Sequence, residues 1–362
     1  MDPQPQPVPP SEIVVPTMVP ERPAPPPPRP PRRSYGCLAL ILGAGLVLSL
    51  LLNFALSSSE SFTSSDSQVT QKYHSLARFG RDKVAIIEVA GPIMDGDSTK
   101  RAIDAAKDDK HIKAVVLRVD SPGGTVSASD YIYHHLSELA KEREIPIVVS
   151  MGGIAASGGY YISMAVGDTP GTIFAEPSTW TGSIGVIIPH YDFSGLLSEY
   201  KVSEDSIKSH RLKAIGSVTK PMTEEERALL QGLVDDGFDQ FKEVVKSGRP
   251  RFAEHPDQLD AVATGQVYTA KQAKEHGLVD EIGYIEEAIE RALELAKLDK
   301  KKTKVVELKP QLGLFEQLLM GPDAQARSSL TGLGLSQLLD LTSPRAYYMF
   351  TWLPALGGIA RP

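Results

Sequence analysis

Hydrophobic and polar positions alternate in two different periods through the middle of the chain. Lys83–Val89 (K-V-A-I-I-E-V), Ala114–Val119 (A-V-V-L-R-V) and Ile145–Ser150 (I-P-I-V-V-S) are short β-branched runs that predict buried strands. Between them, Ser98–Asp108 and Ser127–Arg143 carry helical spacing. Strands separated by helices of this length predict crossover connections and a parallel sheet covered on both faces. Further strands are expected at Ile173–Ala175 and Ser183–Ile188, and further helices over Thr223–Lys246 and from Gly283 to about Leu298. The stretch 311–362 is apolar and punctuated by Gly and Pro, and its pattern predicts no element.

One segment has no polar face. Residues 37–56 are twenty in a row without a charge. At about 1.5 Å per residue, a helix of that length matches the ~30 Å apolar core of a bilayer. Arg22, Arg29, Arg32 and Arg33 precede it and a Ser-rich, acidic stretch follows, so the positive-inside rule puts the N-terminus in the cytoplasm. A cleaved signal peptide has a shorter apolar region behind a short leader. Here a 36-residue arm comes first, which favours an uncleaved anchor.

Composition sharpens this organisation. Of 28 prolines in 362 residues, fourteen lie in the first 31, so the arm is expected to be extended and solvated, with docking to a proline-reading partner as the lesser reading. The expected division is an arm at 1–36, an anchor at 37–56, a linker at 57–80, a catalytic body at 81–300 and an extension at 301–362. A formal charge of −7 argues against nucleic acid as a partner. The lone Cys37 excludes a disulfide within the chain and a Cys-cluster metal site, and the eight histidines form no HExxH motif. No metal and no cofactor are expected.

Candidate chemistry sits at strand ends. The strand Ala114–Val119 runs into D-S-P-G-G-T, where Gly123 and Gly124 let backbone N–H groups face outward toward an oxyanion or phosphate. A plain strand-to-helix turn would look the same. The next strand runs into M-G-G-I-A-A-S-G-G-Y-Y, where Ser157 has only small neighbours. A nucleophile there could use the adjoining Gly158 amide for a developing oxyanion, although close helix–sheet packing also wants Gly and Ala. The string is not the GxSxG elbow, which weakens an ordinary α/β-hydrolase reading. A serine needs a base. His190 and His210 are the nearest histidines downstream, and Lys208 and Lys213 stand in I-K-S-H-R-L-K-A-I-G-S. A lysine serves only when neutral, which requires burial or neighbouring cations. Spacing alone leaves the base open.

These strings, with T-G-S-I-G-V-I after them and G-Q-V-Y-T-A-K-Q-A-K-E-H-G-L-V-D-E-I-G further on, resemble the signal peptide peptidase A (protease IV) family from about Lys83 to Leu298. The resemblance implies an α/β fold of Clp-protease/crotonase-like repeated ββα units with a parallel sheet, preceded by one transmembrane helix. It implies a membrane-bound serine protease with Ser157 as nucleophile, Lys213 as general base, an oxyanion hole at Gly123, Gly124 and Gly158, and Ser183 orienting the lysine. It further implies peptide substrates such as cleaved signal peptides, a membrane-lipid contact through 37–56, a single pass in the inner membrane with the catalytic domain extracytoplasmic, and a homo-oligomeric ring in which Ser and Lys can come from neighbouring subunits. Each motif occurs once, as in short family members. The turn after Ser163 is a few residues longer than usual in the family. Two other classes fit less well: a crotonase-type acyl-CoA enzyme and a non-catalytic membrane scaffold.

Overall fold

The computed structural model describes residues 69–310 and 346–349, together with seven helical residues between 42 and 50. The expected arm at 1–36, half of the linker and most of the anchor and C-terminal extension lie outside the described residues. The chain forms two units, Met1–Asp66 and Ser67–Pro362. In the first, Leu42, Leu46, Val47 and Leu50 are exposed. Among the described residues no helix is long and apolar enough to cross a membrane, and the stretch 37–56 falls mostly outside them.

In the second unit the elements run β1 (Val69–Leu76), β2 (Asp82–Ala90), α1 (Asp97–Asp108), β3 (Ile112–Ser121), β4 (Gly123–Thr125), α2 (Val126–Arg143), β5 (Ile147–Ala156) and α3 (Gly158–Ser163). They continue with β6 (Ile173–Ala175), β7 (Trp180–Gly182), α4 (Ser194–Glu199), α5 (Glu224–Gly248), α6 (Pro250–Glu254), α7 (Pro256–Val262) and β8 (Val267–Thr269). The last are α8 (Ala270–His276), β9 (Glu281–Ile282), α9 (Ile285–Leu295), β10 (Thr303–Pro310) and β11 (Tyr347–Met349). The main sheet has the order β1-β10-β2-β3-β5-β6-β9, with β7 continuing beside the end of β5. Every pairing from β10 through β9 is parallel, while β1 on β10 and β8 on β7 are antiparallel. The fold is thus α/β with a mostly parallel sheet.

The period-two pattern explains its layers. Val84, Ile86, Ala114 and Val116 join Ala288, Ile289, Ala292 and Leu293 of α9 on one face. Their neighbours Ala85, Ile87, Val115 and Leu117 join Ile103 of α1 and Ile132 and Leu136 of α2 on the other. α5 starts where expected, at an N-cap Thr223 whose capping box closes through Glu226.

Three expectations are corrected. Residues 183–188 hold no strand; the pairing falls on β7 instead, because Gly182 and Ser183 turn the chain away at φ 85° and 51°. Strand β1 lies within the expected linker, hidden from the pattern because an edge strand with four exposed positions in a row shows no alternation. β10 lies beyond residue 300 yet pairs with β2, so the sheet crosses the expected body boundary.

The loop into β6 is held by a buried charge pair. Asp280 Oδ1 faces Arg249 at 2.8 Å, and Oδ2 accepts from the Thr172 and Ile173 amides at 2.9 and 3.0 Å. Burial alone raises the Asp280 carboxyl, but Arg249 and the two amides outweigh it and hold it below 3.8. A folded-state value below the unfolded one contributes stability above the ordinary carboxylate range and loses it as pH falls through the depressed value. Asp280→Ala leaves Arg249 buried without its partner and is expected to cost about 3–5 kcal/mol at neutral pH. Chemical denaturation should also show a shallower loss of stability on acidification than in the parent.

Candidate active site

Strand β5 ends at Ser157 with a change of direction. Ser157 adopts φ 55° and ψ −113°, a conformation that costs a non-glycine residue on the order of 1–3 kcal/mol and persists only where the surroundings enforce it. Its amide donates to Gly182 O at 2.8 Å, and its carbonyl accepts from Tyr161 at 2.8 Å, the first bond of α3. The residue is 1% exposed. Among the described residues its hydroxyl has no hydrogen-bond partner, so no bond of the side chain itself holds the strained conformation.

The expected glycines pack against one another beside the serine. A Cβ on Gly158 would meet Ser129 Oγ at 2.4 Å and both Gly123 Cα and Gly124 N at 3.1 Å. Gly158 therefore packs flush against the turn between β3 and β4, although the two are 34 residues apart in sequence. Gly123 needs its freedom, at φ 98°, and its N–H donates to Ser121 Oγ at 3.1 Å. A Cβ on Gly124 would stand 1.8 Å from the Ile93 carbonyl oxygen. Gly124→Ala is therefore expected to move the turn and cost roughly 2–3 kcal/mol, together with most activity. Urea unfolding beside an activity assay checks both.

Ser183 follows β7, whose Gly182 lies opposite Ala156 in a parallel register. The next residues, Ser157 and Ser183, thus stand at the ends of adjoining strands. Ser183 is 6% exposed, with its amide on Gln266 O at 2.7 Å. The structure brings together Ser157, Gly158, Gly123, Gly124 and Ser183.

Lys213 is not part of that cluster. It lies in a short 3-10 turn, Arg211–Ala214, at the end of a largely exposed arm over 187–213, distinct from the N-terminal one, and its ammonium makes no hydrogen bond or ion pair with a described residue. The other candidate bases are occupied elsewhere. His190 Nε2 faces Ser217 O at 3.4 Å, His210 Nδ1 accepts from the Leu212 amide at 3.3 Å, and Lys208 lies 3.7 Å from Glu204. The arm carries Ile187, Tyr191, Phe193, Leu196, Tyr200 and Ile207 exposed, with the Tyr191 and Phe193 rings stacked at 6.3 Å.

A cavity of about 350 Å³ lined by Glu88, Pro92, Ile93, Met94, Asp95 and Ile132 shares Ile93 with the glycine turn, where the Ile93 amide donates to Gly123 O at 2.9 Å. Among the described residues one cluster could hold a metal ion, His134, His135 and Glu138 on the outside of α2, and it lies apart from these residues in the chain.

Residues 139–299 match the family profile described as Peptidase family S49. A protein of Synechocystis sp. named as a protease is 38% identical over 261 residues, which cover 72% of this chain and 90% of that protein. Protease 4 of Salmonella typhi is 41% identical over 225 residues, covering 59% of this chain and 35% of that protein. A protein of Enterococcus faecium named as signal peptide peptidase A is 40% identical over 184 residues, about half of each chain. The chain thus spans about a third of the length of Protease 4.

Proposed function

Because this chain belongs to peptidase family S49, the serine-type peptidases of the signal peptide peptidase A (protease IV) group, we propose that it is a membrane-anchored endopeptidase working through a Ser157/Lys213 dyad. The observation that carries the reading is the strained Ser157, whose hydroxyl has no partner among the described residues, next to a Gly158 packed flush against the Gly123–Gly124 turn. Strain kept at one polar residue beside small, close-packed amides fits a nucleophile with an oxyanion site.

In this mechanism a neutral lysine takes the proton of Ser157 Oγ as the oxygen attacks a peptide carbonyl. The oxyanion develops toward the Gly158 and Gly124 amides, each worth about 3–4 kcal/mol in comparable sites. The lysine then protonates the leaving amine, and water attacks the acyl-enzyme and frees the carboxylate. Ser183 stands beside Ser157 in the register and can orient the lysine.

The same reading accounts for the position of Lys213. An exposed lysine on an arm with an apolar surface supports a dyad completed between subunits of a homo-oligomeric ring. The finer assignment of the fold, Clp-protease/crotonase-like ββα units behind a transmembrane helix at 37–56, belongs to this proposal. So do the single-pass inner-membrane location and the peptide substrates, apolar fragments such as cleaved signal peptides. The proline-rich arm at 1–36 remains a spacer or a docking segment on the cytoplasmic side.

The full chain, purified in detergent, is expected to hydrolyse apolar fluorogenic peptides and to leave acyl-CoA thioesters intact. Hydrolysis of the thioesters would move it to the crotonase class. A chain inert toward a broad peptide panel, yet retained by partners through its arm, would be the scaffold.

A further inference from the structure

Helix α2 carries a cluster that the proposed hydrolysis does not use. His134 and His135 stand four and three residues before Glu138, spacings that bring helical side chains together. His134 Nε2 lies 3.3 Å, and His135 Nδ1 3.2 Å, from one and the same oxygen, Glu138 Oε2. The three donor atoms lie within 4.8 Å of one another. Bonds of about 2.0–2.1 Å to a tetrahedral zinc ion put neighbouring ligand atoms about 3.3–3.4 Å apart. Two edges of the triangle therefore have nearly that length before any ion arrives. The missing HExxH spacing is no objection, because that motif keeps its glutamate as a base, whereas here the glutamate is the third ligand.

The surroundings leave these donors to an ion. Glu138 pairs with no lysine or arginine among the described residues, and Lys107, whose charge reaches it, is held by Glu142 at 2.5 Å. Two neutral imidazoles leave such a carboxylate uncompensated, and a divalent cation supplies the charge. His135 is also held from behind. The Tyr131 ring, one turn back, meets it edge-on at 4.4 Å, and Tyr131 in turn lies against Gly96, where a Cβ would come within 2.6 Å of Cδ1. A ring packed in this way keeps its nitrogen aimed in one direction, as the groups around a ligand histidine do.

We infer that His134, His135 and Glu138 bind one divalent transition-metal ion of the zinc class, with water completing its coordination. Two imidazoles and one carboxylate suit zinc, copper or nickel, whereas magnesium and calcium take oxygen ligands. All three ligands belong to one stretch of α2, nine residues and more beyond its N-cap Thr125. The ion therefore stabilises a helix that is already formed. Its role is structural, and peptide hydrolysis does not require it.

The experiment uses the full chain in detergent, prepared without a polyhistidine tag and treated with EDTA. Calorimetric titration with zinc chloride is expected to show one saturable site with a Kd of about 10 µM or tighter, and magnesium or calcium chloride none. At a free zinc concentration of about a hundred times Kd, the melting temperature should rise by roughly 5–10 °C. His134→Ala and Glu138→Gln alter exposed side chains, so without metal both should melt with the parent, yet each should bind zinc at least about tenfold more weakly. Tyr131→Ala touches no ion and should weaken binding about tenfold by releasing the His135 ring. Peptide hydrolysis should survive EDTA and all three substitutions. A parent that binds no zinc, or zinc bound equally well by His134→Ala and Glu138→Gln, would overturn the inference. So would a thermal shift that magnesium matches, which marks carboxylates in general. Loss of hydrolysis on EDTA treatment would overturn the structural role.

Discussion

Ser157→Ala is expected to lower kcat on an apolar fluorogenic peptide by roughly 10⁵- to 10⁶-fold, the loss seen when a serine nucleophile is removed from a working constellation. The fold should not notice. The Ser157 hydroxyl has no partner among the described residues, and the backbone bonds that hold the turn, to Gly182 O and from Tyr161 N, survive truncation at Cβ. Alanine is no worse than serine at φ 55°. The melting temperature of the variant is therefore expected to match the parent. Residual activity above about one part in 10³ would put the nucleophile elsewhere.

Lys213→Ala should be as inactive as Ser157→Ala, and the two dead proteins should rescue each other. Lys213 is exposed on the arm, and among the described residues its ammonium bonds neither Ser157 nor any other group. If the base comes from a neighbour, oligomers assembled from equal parts of the two variants contain sites with an intact serine facing an intact lysine. Random assembly makes these roughly a quarter of all sites, and activity should recover to that level. Mixed assemblies as inactive as their parents would return the dyad to a single chain. Full activity in Lys213→Ala would pass the role to Lys208 or a histidine. The apolar arm gives a second check, since Ile207→Asp is expected to weaken assembly and activity together.

What could be read before any fold was known was local. Lys83–Val89, Ala114–Val119 and Ile145–Ser150 announce buried strands because each is buried on both faces, and such strands are continuous apolar runs. Helix α5 begins at Thr223 as its capping residues require. Ser157 stands out because serine amid Ala155, Ala156, Gly158 and Gly159 is legible as close packing or chemistry. The backbone resolves that choice: the packing is real, and it strains the serine. β1 was invisible because exposed edge positions carry no period. β10 gives no such signal, because nothing within T-K-V-V-E-L-K-P says that it pairs with β2 rather than starting a tail.

By itself, then, the sequence determined the βαβ order of the body, the charge-free stretch at 37–56 and the residue types available for catalysis. All of these follow from spacing over one or two turns or a few alternations. Only the tertiary structure decided which of those residues meet. It joined Gly158 to Gly123 and Gly124, put Ser183 beside Ser157 through the β5–β7 register, left Lys213 outside on the arm, and laid Tyr348 across the glycine turn from more than 200 residues away. Such contacts depend on register and chain closure, which are set by the summed burial of the whole sheet and not by any one segment.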